Sequence, residues 1–369
     1  MAARYQVMLA DSSDEAELRR RMASDHMQGA MTLSFRREPD YFLGCGVQGD
    51  ESQIIKCVDS KSGRIVGLGA RHSKRLFVNG LETRFGYLSD LRGDEAARKR
   101  TLLARGYAFL RELHAADKLP LYFSVILDGN DEAIAALTTA RAGLPIYKDR
   151  GRILTPAIHL DRRRPELLCA GVTIRRGTDS NMPQVFEFLQ REHARKQLAP
   201  CYRHSDLGSP RLLGLKPEHF YVAYRGDQIV GSVATWDQSE FRQTHVERYS
   251  GSLRLAKPLI NIAARFSSLH SLPAVGEKVP YVYLSLIATE NNRTDIFATL
   301  LRTVYREQRN RKYHFLIAGL HEKDPLSEVL NDYRSIEAGG RLFLIYYPED
   351  AEAVANLDAR TYYIEMATV

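Results

Sequence analysis

Arg98-Lys99-Arg100 is the run of residues best placed to hold a charged ligand. It comes shortly after the apolar stretch Tyr87–Arg92 and stands where a helix is predicted to begin, with Thr101 next. A helix N-terminus presents unpaired N–H groups and a partial positive charge, and both favour phosphate. Cations at that point add charge-assisted hydrogen bonds worth about 1.5–3 kcal/mol each. The chemistry this suits is binding of a phosphate-bearing molecule; the plain alternative is a solvated helix start. Asp90, inside the apolar stretch, is a carboxylate that could take a proton from a nucleophile, or it is a salt-bridged residue near a turn.

Such residues need elements to position them, and the chain supplies one set twice. Tyr5–Leu18 (YQVMLADSSDEAEL) and Val172–Val185 (VTIRRGTDSNMPQV) each read as a short strand, a polar turn and a helix start. Ser12 and Glu15 have capping-box spacing. Asp179 or Ser180 can cap the second helix, with Pro183 in its first turn. Lys56–Ala70 and Tyr221–Ala234 are strand-turn-strand hairpins sharing Ile-Val-Gly, at Ile65–Gly67 and Ile229–Gly231. YLSDL (Tyr87–Leu91) matches YLSLI (Tyr283–Ile287), and each precedes a helix containing Thr-Leu-Leu and a Tyr (Tyr107, Tyr305). Leu121–Leu127 and Tyr313–Gly319 are the next apolar strands. Five matches in one order predict two copies of one architecture, joined near His159–Gly171, with an insertion in the second copy within Asp237–Lys278. Leu253–Leu269 in that insertion is predicted helical, interrupted by Pro258. Tyr147–Leu160 is expected to close the first copy. Pro325–Tyr333 is expected as a helix of the second copy, with Arg341–Tyr347 and Thr361–Met366 closing it.

With these elements laid out, Gly86–Leu110 (GYLSDLRGDEAARKRTLLARGYAFL) resembles the acyl-CoA motif of the GNAT superfamily of N-acyltransferases. There a strand runs into Arg/Gln-x-x-Gly-x-Gly/Ala and then a helix; here Lys99 and Thr101 stand in place of the two glycines. The hairpin ending in Ile-Val-Gly and the later Asn130-x-x-Ala133 are similar to that family as well. The resemblance spans nearly the whole chain. It implies an α/β fold of two tandem GNAT-like domains, residues 1–163 and 164–369, each a central mixed, mostly antiparallel sheet flanked by helices. It implies acetyl-CoA or another acyl-CoA as co-substrate and an amine, small-molecule or peptide, as acceptor. The implied cofactor contacts are Leu91, Arg92 and Gly93 on the strand, Arg98, Lys99, Arg100 and Thr101 at the phosphates, and Asn130. Asp90 would be the base. The family's usual acid, a Tyr in the helix after Asn130, is replaced by Leu137 and Thr138, which leaves Tyr333 of the second copy as candidate acid or as packing. The second copy carries Ile296-Phe297-Ala298 where the first has its three cations, so the first copy is expected to hold the cofactor.

The remaining sequence features bound these expectations. At 369 residues, with 52 Lys+Arg against 45 Asp+Glu and 44% apolar residues, the chain has the composition of a globular protein of about two domains. No apolar run reaches the roughly 18–20 residues of a membrane span, and no signal segment opens the chain, so a cytoplasmic location and no membrane partner are expected. A net charge of +7 suits an anionic small molecule as well as nucleic acid, and the latter is not expected. Cys45, Cys57, Cys169 and Cys201 lack metal or redox spacing, and no metal is expected. Gly44–Gly49 (GCGVQG) matches a dinucleotide pattern but precedes a strand-like segment, not a helix, and is treated as a turn. The rival function is a non-catalytic tandem module of the same fold that binds a ligand or protein.

Overall fold

The computed structural model describes residues 4–94, 102–139, 143–267 and 269–369. The first half runs β1 (Tyr5–Leu9), α1 (Glu15–Ala23), β2 (His26–Met27), β3 (Met31–Arg36), α2 (Leu43–Gln48), β4 (Glu51–Asp59), β5 (Ile65–Val78) and β6 (Leu81–Gly93). It continues through α3 (Leu102–Ala116), β7 (Tyr122–Leu127), α4 (Asp131–Thr138) and β8 (Ile146–Leu154). The remainder is β9 (Ala157–His159), β10 (Val172–Arg176), α5 (Met182–His193), β11 (Phe220–Arg225), β12 (Gln228–Trp236), β13 (Gln243–Tyr249), α6 (Gly251–Ala264) and β14 (Tyr281–Thr289). It ends with α7 (Thr294–Gln308), β15 (Phe315–Ala318), β16 (Leu320–His321), β17 (Ser335–Ile336), β18 (Gly339–Tyr346) and α8 (Ala351–Ala355).

The strands form two large mixed sheets, β1-β4-β5-β6-β7-β18-β8-β16 and β10-β11-β12-β14-β15-β9-β17, and a small one, β13-β3-β2. In each large sheet three antiparallel pairings lead to one parallel pairing, β6 with β7 or β14 with β15. A parallel pair needs a crossover, and α3 and α7 supply it at equivalent places. The repeat expected from the sequence is therefore present as repeated topology. α7 shows why its segment is helical: Ile296, Phe297, Leu300, Leu301, Val304 and Tyr305 recur at helical spacing and are all buried in one core. Burying each large apolar side chain contributes about 1.5–3 kcal/mol, so the apolar replacement of the cations anchors this helix to its sheet.

Several boundaries differ from expectation. The two sheets trade closing strands: β9 follows the first half in sequence but pairs with β15 and β17, and β18 follows the second half but lies between β7 and β8. A short continuous apolar run marks Arg341–Tyr347 as a strand without saying which sheet it joins. Thr361–Met366 is not a strand; it packs as an irregular segment with Tyr363, Ile364 and Glu365 buried. Pro325–Asp332 is a run of tight 3-10 turns. At the first helix the cap is Asp11, which accepts from Ser13 N–H while Asp14 accepts from Asp11 N–H, one residue before the expected Ser12/Glu15 box. Asn181, not Asp179 or Ser180, is the N-cap of α5. Gly44–Gln48 lies inside the short helix α2, which removes the dinucleotide match by placing it before a strand as a helix, not a turn. Residues Gly251–Ala264 continue as one helix across Pro258.

Candidate active site

The geometry centres on a bulge in β6. Leu68 pairs with Arg92 and Ala70 with Ser89, so Asp90 and Leu91 oppose the single residue Gly69. Asp90 has φ of 56°, the left-handed conformation that the first residue of such a bulge adopts. Across the sheet, β6 pairs with β7 only at Gly86 and Tyr87. Gly86 is required there, because a Cβ would meet the Tyr122 ring at 2.0 Å. Beyond Tyr87 the two parallel strands splay, and Leu91 is 51% exposed in the opening. No side chain among the described residues accepts from the N–H of Asp90 or Leu91. An extended ligand can pair with such a strand edge through backbone hydrogen bonds.

The second sheet repeats the bulge and fills the splay. Leu286 and Ile287 oppose Val233, and Leu286 has φ of 52°. β14 pairs with β15 through Leu284, then parts from it. Into this gap comes the segment after α8. Glu365 Oε2 accepts from Leu286 N–H at 2.7 Å, and Tyr363 Oη accepts from Ile287 N–H at 3.0 Å. Tyr363 in turn donates to Glu365 at 2.9 Å. Ser285–Thr289 are all buried. The same backbone device is thus sealed in one sheet by the chain itself, while in the other no described side chain covers Asp90 and Leu91.

A buried polar network surrounds the first bulge. Asp90 accepts from Arg37 Nη2 at 2.5 Å and from Tyr41 Oη at 3.0 Å. Arg37 also donates to Gln48 at 2.6 Å and lies over the Tyr41 ring. Burial pushes the Asp90 carboxyl up, but the charges of Arg37 and Arg92, with His72 and the Tyr41 bond, outweigh it and hold the group below its ordinary range. Next to it, His72 meets Ser89 Oγ through Nε2 at 3.0 Å and Ser52 Oγ through Nδ1 at 2.7 Å. Burial, with nearby Arg37 and Lys74, lowers His72 to about 3, so the ring is neutral. Lys74 donates to Thr368 Oγ1 at 2.8 Å and lies over the Tyr87 ring. Burial and the Arg211 charge lower its ammonium to about 7. Arg242 and Gln238 donate to the Ala367 carbonyl at 2.7 and 2.8 Å. Residues from both halves therefore meet on one face of the splay strand.

Of the residues singled out from sequence, the structure brings Asp90, Leu91, Arg92 and Gly93 together at the splay. Of the two readings of Asp90, a base or a salt-bridged residue, the structure has it ion-paired with Arg37 and hydrogen-bonded by Tyr41. Arg92 pairs with Asp25 at 3.6 Å and keeps a buried Nε that has no hydrogen-bond partner among the described residues. Gly93 is buried at the strand end. Asn130 caps α4, its Oδ1 accepting from Ala133 N–H at 3.3 Å. It adjoins a cavity of about 610 Å³ lined by Asp128, Asp131, Tyr147 and Arg152 among others. Tyr333 lies elsewhere, in the core of the second sheet, where Arg302 donates to its Oη at 3.1 Å and Tyr305 packs on its ring. Arg98, Lys99, Arg100 and Thr101 lie outside the described residues. Arg37, Tyr41, His72 and Lys74 were not legible beforehand. Their one signal is position: His72 and Lys74 fall at period 2 with the apolar Leu68, Ala70 and Leu76 of a buried strand, where a polar residue needs a partner.

Two sheets of this order, with a bulged strand splaying from its parallel neighbour, make a GNAT-type fold. No protein-family model matches the sequence, and no curated protein matches it. Solved structures do. The chain is similar to Saccharomyces cerevisiae N-myristoyltransferase with bound myristoyl-CoA, at TM-score 0.60 and 12% identity over 94% of this chain and 80% of that one. It is also similar to the GCN5-related glucosamine N-acetyltransferase region of a fungal multi-domain β-N-acetylglucosaminidase, at TM-score 0.62 and 12% identity over 93% of this chain and 38% of that one. A GCN5-related N-acetyltransferase from Sphaerobacter thermophilus aligns at TM-score 0.55 and 11% identity over 94% and 98% of the two chains.

Proposed function

We propose that the protein is an acyl-CoA-dependent N-acyltransferase whose donor lies in the splay between β6 and β7. The observation that carries this reading is the asymmetry of the two splays: Tyr363 and Glu365 occupy the backbone donors of β14, while among the described residues no side chain takes the matching donors of Asp90 and Leu91. The pantetheine arm would pair with the backbone around Leu91 and Gly93. The phosphates would lie toward Arg92 and the cations Arg98, Lys99 and Arg100, with Thr101 beside them. Asn130 then acts on the donor through the turn it caps. Residues 1–163 would supply the donor site, and residues 164–369 the wall facing it, where the acceptor amine enters.

The reaction is attack of a neutral amine nitrogen on the thioester carbonyl. The C–N bond forms, the C–S bond breaks, and the proton shed by the nitrogen balances the one the leaving thiolate takes up. A carboxylate held below its ordinary range is a weak base at neutral pH. Asp90 therefore serves as a positioning residue: it fixes the bulge whose N–H groups face the thioester. Donors already fixed where negative charge develops on the carbonyl oxygen stabilise the transition state without reorganisation. The neighbours' names include a myristoyl donor and a glucosamine acceptor, which supports an acyl-CoA donor and an amine acceptor here; acetyl-CoA is the first donor to try, beside myristoyl-CoA.

Calorimetric titration of both acyl-CoAs tests this, with the Arg98→Glu/Arg100→Glu variant alongside. One site per chain, lost or strongly weakened in the variant, is expected. Binding to neither donor would overturn the enzyme reading and favour a non-catalytic module.

A further inference from the structure

α6 carries an apolar stripe on its outward side. Leu255, Leu259 and Ile262 recur at helical spacing, Phe266 continues the stripe in the turn after the helix, and the four are 81, 70, 53 and 86% exposed. Leu269 and Val275, in the segment that follows, extend the stripe at 42 and 60%. No residue of α6 is buried. The inner side is held only lightly: Lys257 Nζ donates to the Pro273 carbonyl at 2.7 Å, and Asn261 exchanges hydrogen bonds with Leu272. An exposed patch of this continuity marks an interaction site, not random surface.

The charge around the stripe selects the partner. From Arg248 to Gly276 the sequence contains Arg248, Arg254, Lys257 and Arg265 and no Asp or Glu. Arg248, Arg254 and Arg265 are exposed, and among the described residues none of them pairs with a carboxylate. By the helical step, Arg254 and Arg265 fall on the same flank of the stripe. A two-fold contact between copies would press these cations against their own counterparts with no carboxylate to offset them. A surface that is apolar in the middle and negative at the rim matches both features. No described helix is long and apolar enough to cross a membrane, so the geometry is that of a helix lying on one.

We propose that α6 docks the protein on a bilayer containing anionic lipids. The Leu255–Phe266 stripe enters the boundary between headgroups and acyl chains, and Arg248, Arg254 and Arg265 contact the headgroups. The absence of a long apolar run excludes a span but does not bear on a surface helix. The inference is independent of acyl transfer and asks only where the chain binds.

Vesicle flotation tests it, using phosphatidylcholine alone and phosphatidylcholine mixed with phosphatidylglycerol. The wild type should float with the mixed vesicles, less so at high salt, and much less with phosphatidylcholine alone. Arg254→Glu/Arg265→Glu should lower affinity for the mixed vesicles roughly tenfold or more. Leu255→Asp/Leu259→Asp/Phe266→Ser should abolish flotation while circular dichroism and the melting transition stay unchanged, since none of these side chains is in the core. Absence of wild-type flotation overturns the proposal. So does equal flotation of the stripe variant, or a stripe variant that only converts a dimer to a monomer in sedimentation.

Discussion

Asp90 and Leu286 hold the same position in equivalent bulges, each with positive φ, three and two residues beyond the last pair of their parallel strands. Their surroundings are opposite. Asp90 anchors a charged network beside an exposed strand edge. Leu286 is sealed, its N–H taken by Glu365. One backbone device thus serves as a candidate ligand edge in one sheet and as core in the other.

The Arg37–Asp90 pair should be costly to break and less costly to remove. Arg37→Met leaves a buried carboxylate without its partner, a loss of about 3–5 kcal/mol. Asp90→Asn in addition should recover part of that loss. Denaturant unfolding of the two single variants and the double variant measures the coupling; strictly additive effects would show that the pair contributes no specific interaction.

Glu365 closes the second splay through a backbone N–H and a tyrosine hydroxyl. Glu365→Ala leaves both without their acceptor in a buried site and should cost about 1–3 kcal/mol or more. Glu365→Gln keeps an acceptor and should cost less. Equal melting temperatures for the two variants would contradict this role.

His72 gives a pH signature. Its ordinary value is 6.5, and burial lowers it to about 3 in the folded chain. Between those values the unfolded chain binds a proton that the folded chain does not. The stabilisation from a neutral His72 is therefore complete above about pH 6.5 and is lost as pH falls toward 3. His72→Gln should flatten the fall of stability over that window, measured as unfolding free energy against pH. An unchanged slope would count against the buried neutral imidazole.

Exchange of strands makes the halves interdependent. β18 contributes Leu342, Leu344 and Ile345, all fully buried, to cores built on the first sheet. A fragment of residues 1–163 lacks β18 and would expose the edges of β7 and β8. It should be insoluble or molten when expressed alone, and supplying residues 164–369 in the same cell should restore it. A monomeric fragment with a cooperative melt would show that β18 is dispensable.

Order and periodicity were enough to find the repeat: hairpins, crossover helices and apolar strands recur because each local pattern has its own physical period, 2 for strands and 3.6 for helices. The strand Tyr87–Arg92 was legible for the same reason, whereas its splay and the choice of Asn130 came from the family resemblance. The owner of each closing strand was not legible, because Arg341–Tyr347 is a continuous apolar run that the interior of either sheet could accept. Nor was the fate of Asp90. A lone Asp on a strand reads alike whether solvated or buried; Arg37 and Tyr41, distant in sequence, decide its charge. Tyr363 and Glu365 likewise carry no signal of their own, since sealing a backbone N–H depends on where a chain segment comes to lie. The sequence alone determined the elements and their order, which are local. Tertiary structure decided which splay is sealed and which groups are charged, because pairing and desolvation act between residues that only folding brings into contact.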